Sequence, residues 1–269
     1  MSRHLHQGQR GFSLIEMLIV VAVLSVVLGA IFNTILDGMK KYRLEENRVN
    51  TTQESREFLD QIVRDLHSAG YPGLKVYNPG DVAAPALNNN YIAAGLVAVS
   101  ATDIWFEGDI DDSGTVLTIR YTLQPLADGN CPCTMMRSGV PKQPATAPTA
   151  QPVNYNTQLQ NVINSTGGAA PYAIDGTTRF GNGAPVNNDT LYASFKIPPV
   201  FSFYDQNGNA IVVPNDLQGA NLNTGATAAA NVRMISVALN LLSAQQDLQT
   251  HLRSGVSMRA MVKVNNLSN

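Results

Sequence analysis

Twenty consecutive residues, Met17 to Leu36, carry no formal charge. As a helix they cover about 30 Å, the thickness of the hydrocarbon core of a bilayer. The run opens abruptly after a polar leader, Met1 to Gly11, that contains Arg3 and Arg10, and one carboxylate, Glu16, stands at its edge. An ionised acid left unpaired in hydrocarbon costs roughly 2.5 kcal/mol or more at the centre and less near the boundary. No Lys, Arg or His follows Glu16 within two helical turns, so its partner must come from another chain or be created by processing. A secretory signal has an apolar region of about 7–15 residues ending at a small-residue cleavage site. This run is longer, holds an acid and has no such end. A plain signal anchor accounts for the length and gives Glu16 no reason to be there.

Gly11-Phe12-Ser13-Leu14-Ile15-Glu16, placed before a long apolar helix, resembles the cleavage and methylation signature of type IV pilins and type II secretion pseudopilins. The resemblance implies a prepilin peptidase that cuts between Gly11 and Phe12 on the cytoplasmic side and methylates the new amine of Phe12. It also implies that Glu16 pairs with the N-terminal amine of a neighbouring subunit and so sets the register of filament assembly. Cutting the peptide bond thus creates the missing cation at membrane depth. The partners implied are the peptidase, other minor and major pilins or pseudopilins, the inner-membrane assembly platform and membrane lipid. The implied location is the inner membrane, single-pass, with a cytoplasmic leader and a periplasmic head that later enters a pilus or pseudopilus. Lys40, Lys41 and Arg43 follow the span and blunt the charge asymmetry, so the orientation rests on the signature more than on charge counting.

The helix does not stop at the membrane surface. From Asn33 to His67 there is no proline, and Phe58, Leu59, Ile62, Val63 and Leu66 recur at helical spacing. Arg56, Asp60, Gln61, Arg64 and Asp65 are left mostly to the other side. Gly70, with Pro72 beyond it, gives a stop. One helix from about Phe12 to Ala69 follows, on the order of 85 Å long. Gly29 and Gly38 are its weak points, each costing up to about 1 kcal/mol against alanine, and the segment near Gly29 is expected to unwind on assembly. Glu45, Glu46, Arg48, Arg56 and Arg64 read as a solvated face.

Beyond Pro72 the apolar period becomes two. Ile104-Trp105-Phe106-Glu107 and Thr115 to Leu123 read as strands of a hairpin whose apolar face packs on the helix. Val200 to Tyr204, a turn Asp205-Gln206-Asn207-Gly208-Asn209, and Ile211-Val212-Val213 read as a second hairpin. Ile235, Val237, Leu239 and Leu241 form one inward set; Val256, Met258, Ala260, Val262 and Val264 form another. The fold class is α+β: a long N-terminal transmembrane and amphipathic helix against a mainly antiparallel β-sheet head. This order of pieces resembles the PilW-type minor pilins and, in broad plan, the J-type minor pseudopilins. The boundaries are a cleaved leader 1–11, a membrane or filament-core half-helix 12–36, an amphipathic half-helix 37–70, and an exported head 71–269. Low charge with many Pro, Ala, Asn and Thr residues marks loop insertions at about 139–190 and at 219–231.

Two constellations invite inorganic chemistry. Asp109-x-Asp111-x-Ser113-Gly114 resembles the first half of a calcium loop, yet Arg120 stands where such a loop needs a bidentate Glu. Asp and Gly are also what a tight hairpin asks for without a metal. Cys131 and Cys133, the chain's two cysteines, sit two apart in a head expected to meet an oxidising compartment, and a local disulfide is the preferred expectation. In extended backbone their Cα atoms approach the limit of about 7 Å, so the chain must bend there. No cofactor is required, and calcium is the one ion the loop invites.

After cleavage only His67 and His251 remain, and no His-Glu-x-x-His, Gly-x-Ser-x-Gly or phosphate-cradling glycine motif is present. Nothing argues for an enzyme. The balance of 18 Lys+Arg and 20 Asp+Glu, net −2, gives no basic patch for nucleic acid. The expected function is a minor pilin-like subunit near the tip of a type IV pilus. The alternatives are a minor pseudopilin of a type II secretion system, and a membrane-anchored adhesin or binding protein outside any filament.

Overall fold

A computed structural model describes residues 12–73, 89–126, 131–164, 198–211, 232–246 and 253–264. The chain divides into two compact units, Met1–Glu46 and Asn47–Asn269. One helix, α1 (Leu14–His67, 54 residues), supplies the described secondary structure of the first unit and the opening element of the second. Between its ends there is no proline, and the backbone runs through Gly29 and Gly38 without a break. Its serine and threonine hydroxyls are satisfied within the helix. Ser25 donates to the carbonyl of Val21 at 2.8 Å and Thr34 to that of Ala30 at 2.9 Å, which lets both sit in an apolar run. Thr51 and Ser55 do the same on the face that is buried. Gly70 ends the helical path in the left-handed region (φ 81°), where a glycine has no Cβ to clash.

Among the described residues, the sheet of the second unit is antiparallel, curled and nine-stranded. Strands β1 (Leu96–Val99), β2 (Asp103–Gly108), β3 (Leu117–Gln124), β4 (Cys133–Pro141) and β5 (Tyr155–Val162) pair in sequence order. β8 (Met234–Gln246) carries β9 (Arg253–Lys263) along one edge. Its other edge is shared by β6 (Phe201–Tyr204), paired at Met234–Val237, and by β5, which meets it at Val162–Leu241. β7 (Ala210–Ile211) closes the hairpin with β6 around Gly208.

The core lies between the sheet and the end of α1. Phe58, Leu59, Ile62 and Leu66 are buried there, each worth about 1.5–3 kcal/mol for the apolar surface removed from water. Phe58 meets Tyr121 edge-on at 5.7 Å, and Phe106 stacks on the same ring at 6.4 Å. The inward set Ile235, Val237, Leu239 and Leu241 is fully buried. On the edge strand β9 the inward residues Val256, Met258 and Ala260 are half-buried and Val262 buried, alternating with exposed neighbours.

Two expectations need correction. Asp65, assigned to the solvent side of α1, is buried on the sheet side, because it follows Phe58 and Ile62 on the same helical stripe. The stretch 139–190, read as a loop insertion, contains β5. The Asn, Gln and Thr residues of β5 hide its strand character, but Leu159 and Val162 reach the core and the backbone is paired to β4. Residues 165–190, the second insertion 219–231, Val212-Val213 and Asn265 to Leu267 lie outside the described residues.

Candidate functional site

The first unit offers a surface rather than a cavity. Every large apolar side chain from Phe12 to Met39 is exposed, by 45–82%, and none belongs to a core among the described residues. Exposed apolar area on this scale marks a contact with lipid or protein. The helix is long and apolar enough to cross a membrane, and none of its most apolar window is buried. Glu16 occupies the first turn of α1, where the unpaired amides of a helix N-terminus favour negative charge. The carbonyl of Ser13 accepts the amides of Glu16 and Met17 at 3.0 and 3.2 Å. Among the described residues no cation faces the carboxylate of Glu16. Phe12 is exposed beside it, and Gly11 lies outside the described residues.

The second unit joins its helix to its sheet through polar bonds that the sequence did not disclose. The carboxylate of Asp65 accepts the Tyr121 hydroxyl at 2.6 Å and Nε of Arg137 at 2.9 Å, and Arg137 also donates to the Tyr121 oxygen at 3.1 Å. Burial and the adjacent Asp65 charge push the Tyr121 phenol well above its usual value. Beyond the helix, the amide of Gly70 donates to the carbonyl of Glu107 at 2.8 Å, and Asp109 donates to that of Tyr71 at 2.7 Å. A fully buried ion pair lies next to this seam. Nζ of Lys142 is 2.6 Å from Oε2 of Glu107 and 2.8 Å from the carbonyl of Ile92. Such joints fix a register; they are not arranged as a nucleophile with its base.

The Asp109 loop joins β2 to β3. Asp109 accepts the amides of Ser113 (3.2 Å) and Gly114 (2.9 Å) on its two carboxylate oxygens; Asp111 accepts Ser113 (3.3 Å); and Ser113 Oγ accepts Thr115 (3.2 Å). Each of the three side chains expected to bind calcium is thus engaged by a loop amide. Among the described residues no cluster of three or more His, Cys, Asp or Glu side chains is placed to hold a metal. Cys131 and Cys133 are joined as a disulfide, with the backbone bent so that their Cα atoms lie 4.3 Å apart. Both are buried at the start of β4, where they form part of the core.

With that geometry in place, the comparison with known families bears on the N-terminus. Residues 6–32 match the family model described as the prokaryotic N-terminal methylation motif. The chain carries a type IV pilin-like prepilin signal. This match covers Phe12, Glu16 and most of the exposed apolar run already described. It supports a pilin-like or pseudopilin precursor, a structural subunit whose kind is processed by a prepilin peptidase and assembled with other pilins. No curated protein and no solved structure matches the chain.

Proposed function

We propose that the chain is a minor pilin, a subunit that takes part in assembling or priming a type IV pilus close to its tip. Met17–Leu36 holds the precursor in the inner membrane with the leader in the cytoplasm. The peptidase cuts between Gly11 and Phe12 and methylates Phe12. The mature Glu16 carboxylate pairs with the N-terminal amine of a neighbour, and the apolar half-helix exchanges lipid for the filament core.

One observation carries this: the exposed apolar run of α1 holds, in its first turn and inside the prepilin signal, a carboxylate that no cation faces among the described residues. A membrane anchor needs the first feature and has no use for the second. The PilW-like subclass is part of the same proposal and rests on the order of helix and strand segments read in the sequence. A Cβ built at Gly29 would meet no described atom within 4 Å, and a local unwinding on assembly is proposed at this glycine. A pseudopilin of a type II secretion system would share this assembly chemistry, and loss of pili or loss of secretion on deletion separates the two.

Glu16→Ala tests the filament reading against an anchored adhesin. A subunit loses incorporation into sheared filaments while remaining in the membrane. If the variant is recovered in filaments at the wild-type level, or if neither form enters any filament while the head still binds a ligand, the proposal fails.

A further inference from the structure

Three cations follow the charge-free span within about two helical turns: Lys40, Lys41 and Arg43, with Tyr42 among them. All four side chains are exposed. Asp37 is paired with Lys40 at 3.4 Å, whereas Lys41 and Arg43 face no acid among the described residues. The next acids in the chain, Glu45 and Glu46, lie about 3–9 Å farther along the axis. In the orientation proposed above these cations are on the exported side, against the usual preference for Lys and Arg in the cytoplasm. The short leader sets only Arg3 and Arg10 against them. A cluster exported against that bias calls for a partner on the outer side.

We propose that Lys40, Lys41, Arg43 and Tyr42 form an interfacial anchor that binds anionic phospholipid headgroups of the outer leaflet. The inference rests on the filament-subunit reading for its orientation. Lipid is the occupant favoured by position. Twenty uncharged residues cover about 30 Å, so the first cation beyond them emerges at headgroup level, where Tyr and Lys or Arg together anchor a span. The charge is complementary: positive residues outnumber the single acid Asp37 three to one between 37 and 43. Held there, the helix places Glu16 about 36 Å away along the axis, at the opposite edge of the hydrocarbon layer. The anchor therefore sets the depth at which Glu16 waits for the neighbour's amine.

The test uses the full chain, expressed with a prepilin peptidase and reconstituted in mixed phosphatidylcholine and phosphatidylglycerol vesicles. Electron paramagnetic resonance of spin-labelled lipids reads the relative association of phosphatidylglycerol over phosphatidylcholine with the protein. Each cation near an anionic surface contributes about a fivefold preference. The wild-type chain should favour phosphatidylglycerol by about fivefold or more, less so in high salt. Lys40→Gln/Lys41→Gln/Arg43→Gln should bring the ratio close to one. A wild-type ratio near one, or a preference that survives the triple substitution, overturns the proposal. So does an unchanged ratio accompanied by loss of cross-linking to a neighbouring subunit, which would assign the cations to that subunit's acids. Processing and filament incorporation are scored on the same preparations. A chain that prefers phosphatidylglycerol but is never cut keeps the anchor and sinks the filament reading; a chain cut and incorporated without a lipid preference does the reverse.

Discussion

Lys142→Met is the substitution with the largest effect expected in the head. The Lys142 and Glu107 side chains are both fully buried, with 2.6 Å between Nζ and Oε2. Met keeps much of the aliphatic stem and removes the cation. Glu107 is then left with the amide of Ala94, which donates to Oε2 at 2.8 Å, while Oε1 has no partner among the described residues. Removing one member of a buried pair costs about 3–5 kcal/mol, because the other charge stays behind. In a domain of this size each kcal/mol lowers the melting temperature by about 2–4 °C, so the expected drop is roughly 6–20 °C. The pH dependence has a definite sign. Burial raises the Glu107 carboxyl above its usual range, and the Lys142 charge and hydrogen bond pull it part of the way back. A raised native value means that the folded chain holds the proton more tightly than the unfolded one. That contribution is complete below the unfolded pKa and is lost as pH rises through the folded one. Without Lys142 the carboxyl is raised further, so the deficit at about pH 7.5 should shrink at about pH 5. Trp105, the sole tryptophan and buried two residues before Glu107 on β2, reports the transition by fluorescence in the full chain in detergent. Lys142→Met/Glu107→Met should recover most of the loss, since an apolar pair replaces the ionic one. A single-variant loss under about 1 kcal/mol at neutral pH, or a deficit equal at both pH values, would refute this reasoning.

Gly108→Ala would place a Cβ 2.4 Å from the carbonyl oxygen of Ser68 and 2.9 Å from its carbon, both backbone atoms that cannot swing away. Denaturant unfolding should register a loss of about 1–3 kcal/mol. Asp65→Asn removes the charge that takes bonds from Tyr121 and Arg137, and the same assay should show a loss of about 1.5–3 kcal/mol, with Tyr121→Phe costing about 1. Calcium titrated calorimetrically into the chain should give no saturable heat in the millimolar range, because Asp109, Asp111 and Ser113 already accept loop amides. Saturable heat abolished by Asp111→Asn would restore a calcium loop.

The elements legible in the sequence are those whose side chains repeat a strong pattern. The charge-free run and the proline-free stretch after it led to a helix from Phe12 to Ala69, and α1 spans Leu14–His67. Alternation in Thr115–Leu123 and in Ile235–Leu241 led to β3 and β8. β5 escaped because its stability comes from backbone pairing and two apolar contacts, neither of which shows as a period-two hydrophobic run. β1 and β4 were not singled out either. β1 is four residues, buried throughout and so without alternation, and β4 mixes Met, Arg and Ser on a strand flanked on both sides. The polar joints were invisible for another reason. Asp65, Tyr121 and Arg137 are 56 and 16 residues apart, and only the fold makes them neighbours. The spacing of Phe58, Ile62 and Asp65 was the available signal that an acid sits on a buried stripe. Glu16 was legible because an acid beside twenty uncharged residues stands out without any tertiary information.

The most direct test of the central claim is the intact mass of the membrane-extracted protein, expressed with and without a prepilin peptidase. A peptidase-dependent loss of Met1 to Gly11 and one added methyl group on Phe12 are the expected result. An uncut chain in the presence of an active peptidase, or a cut beyond the apolar run, would contradict it.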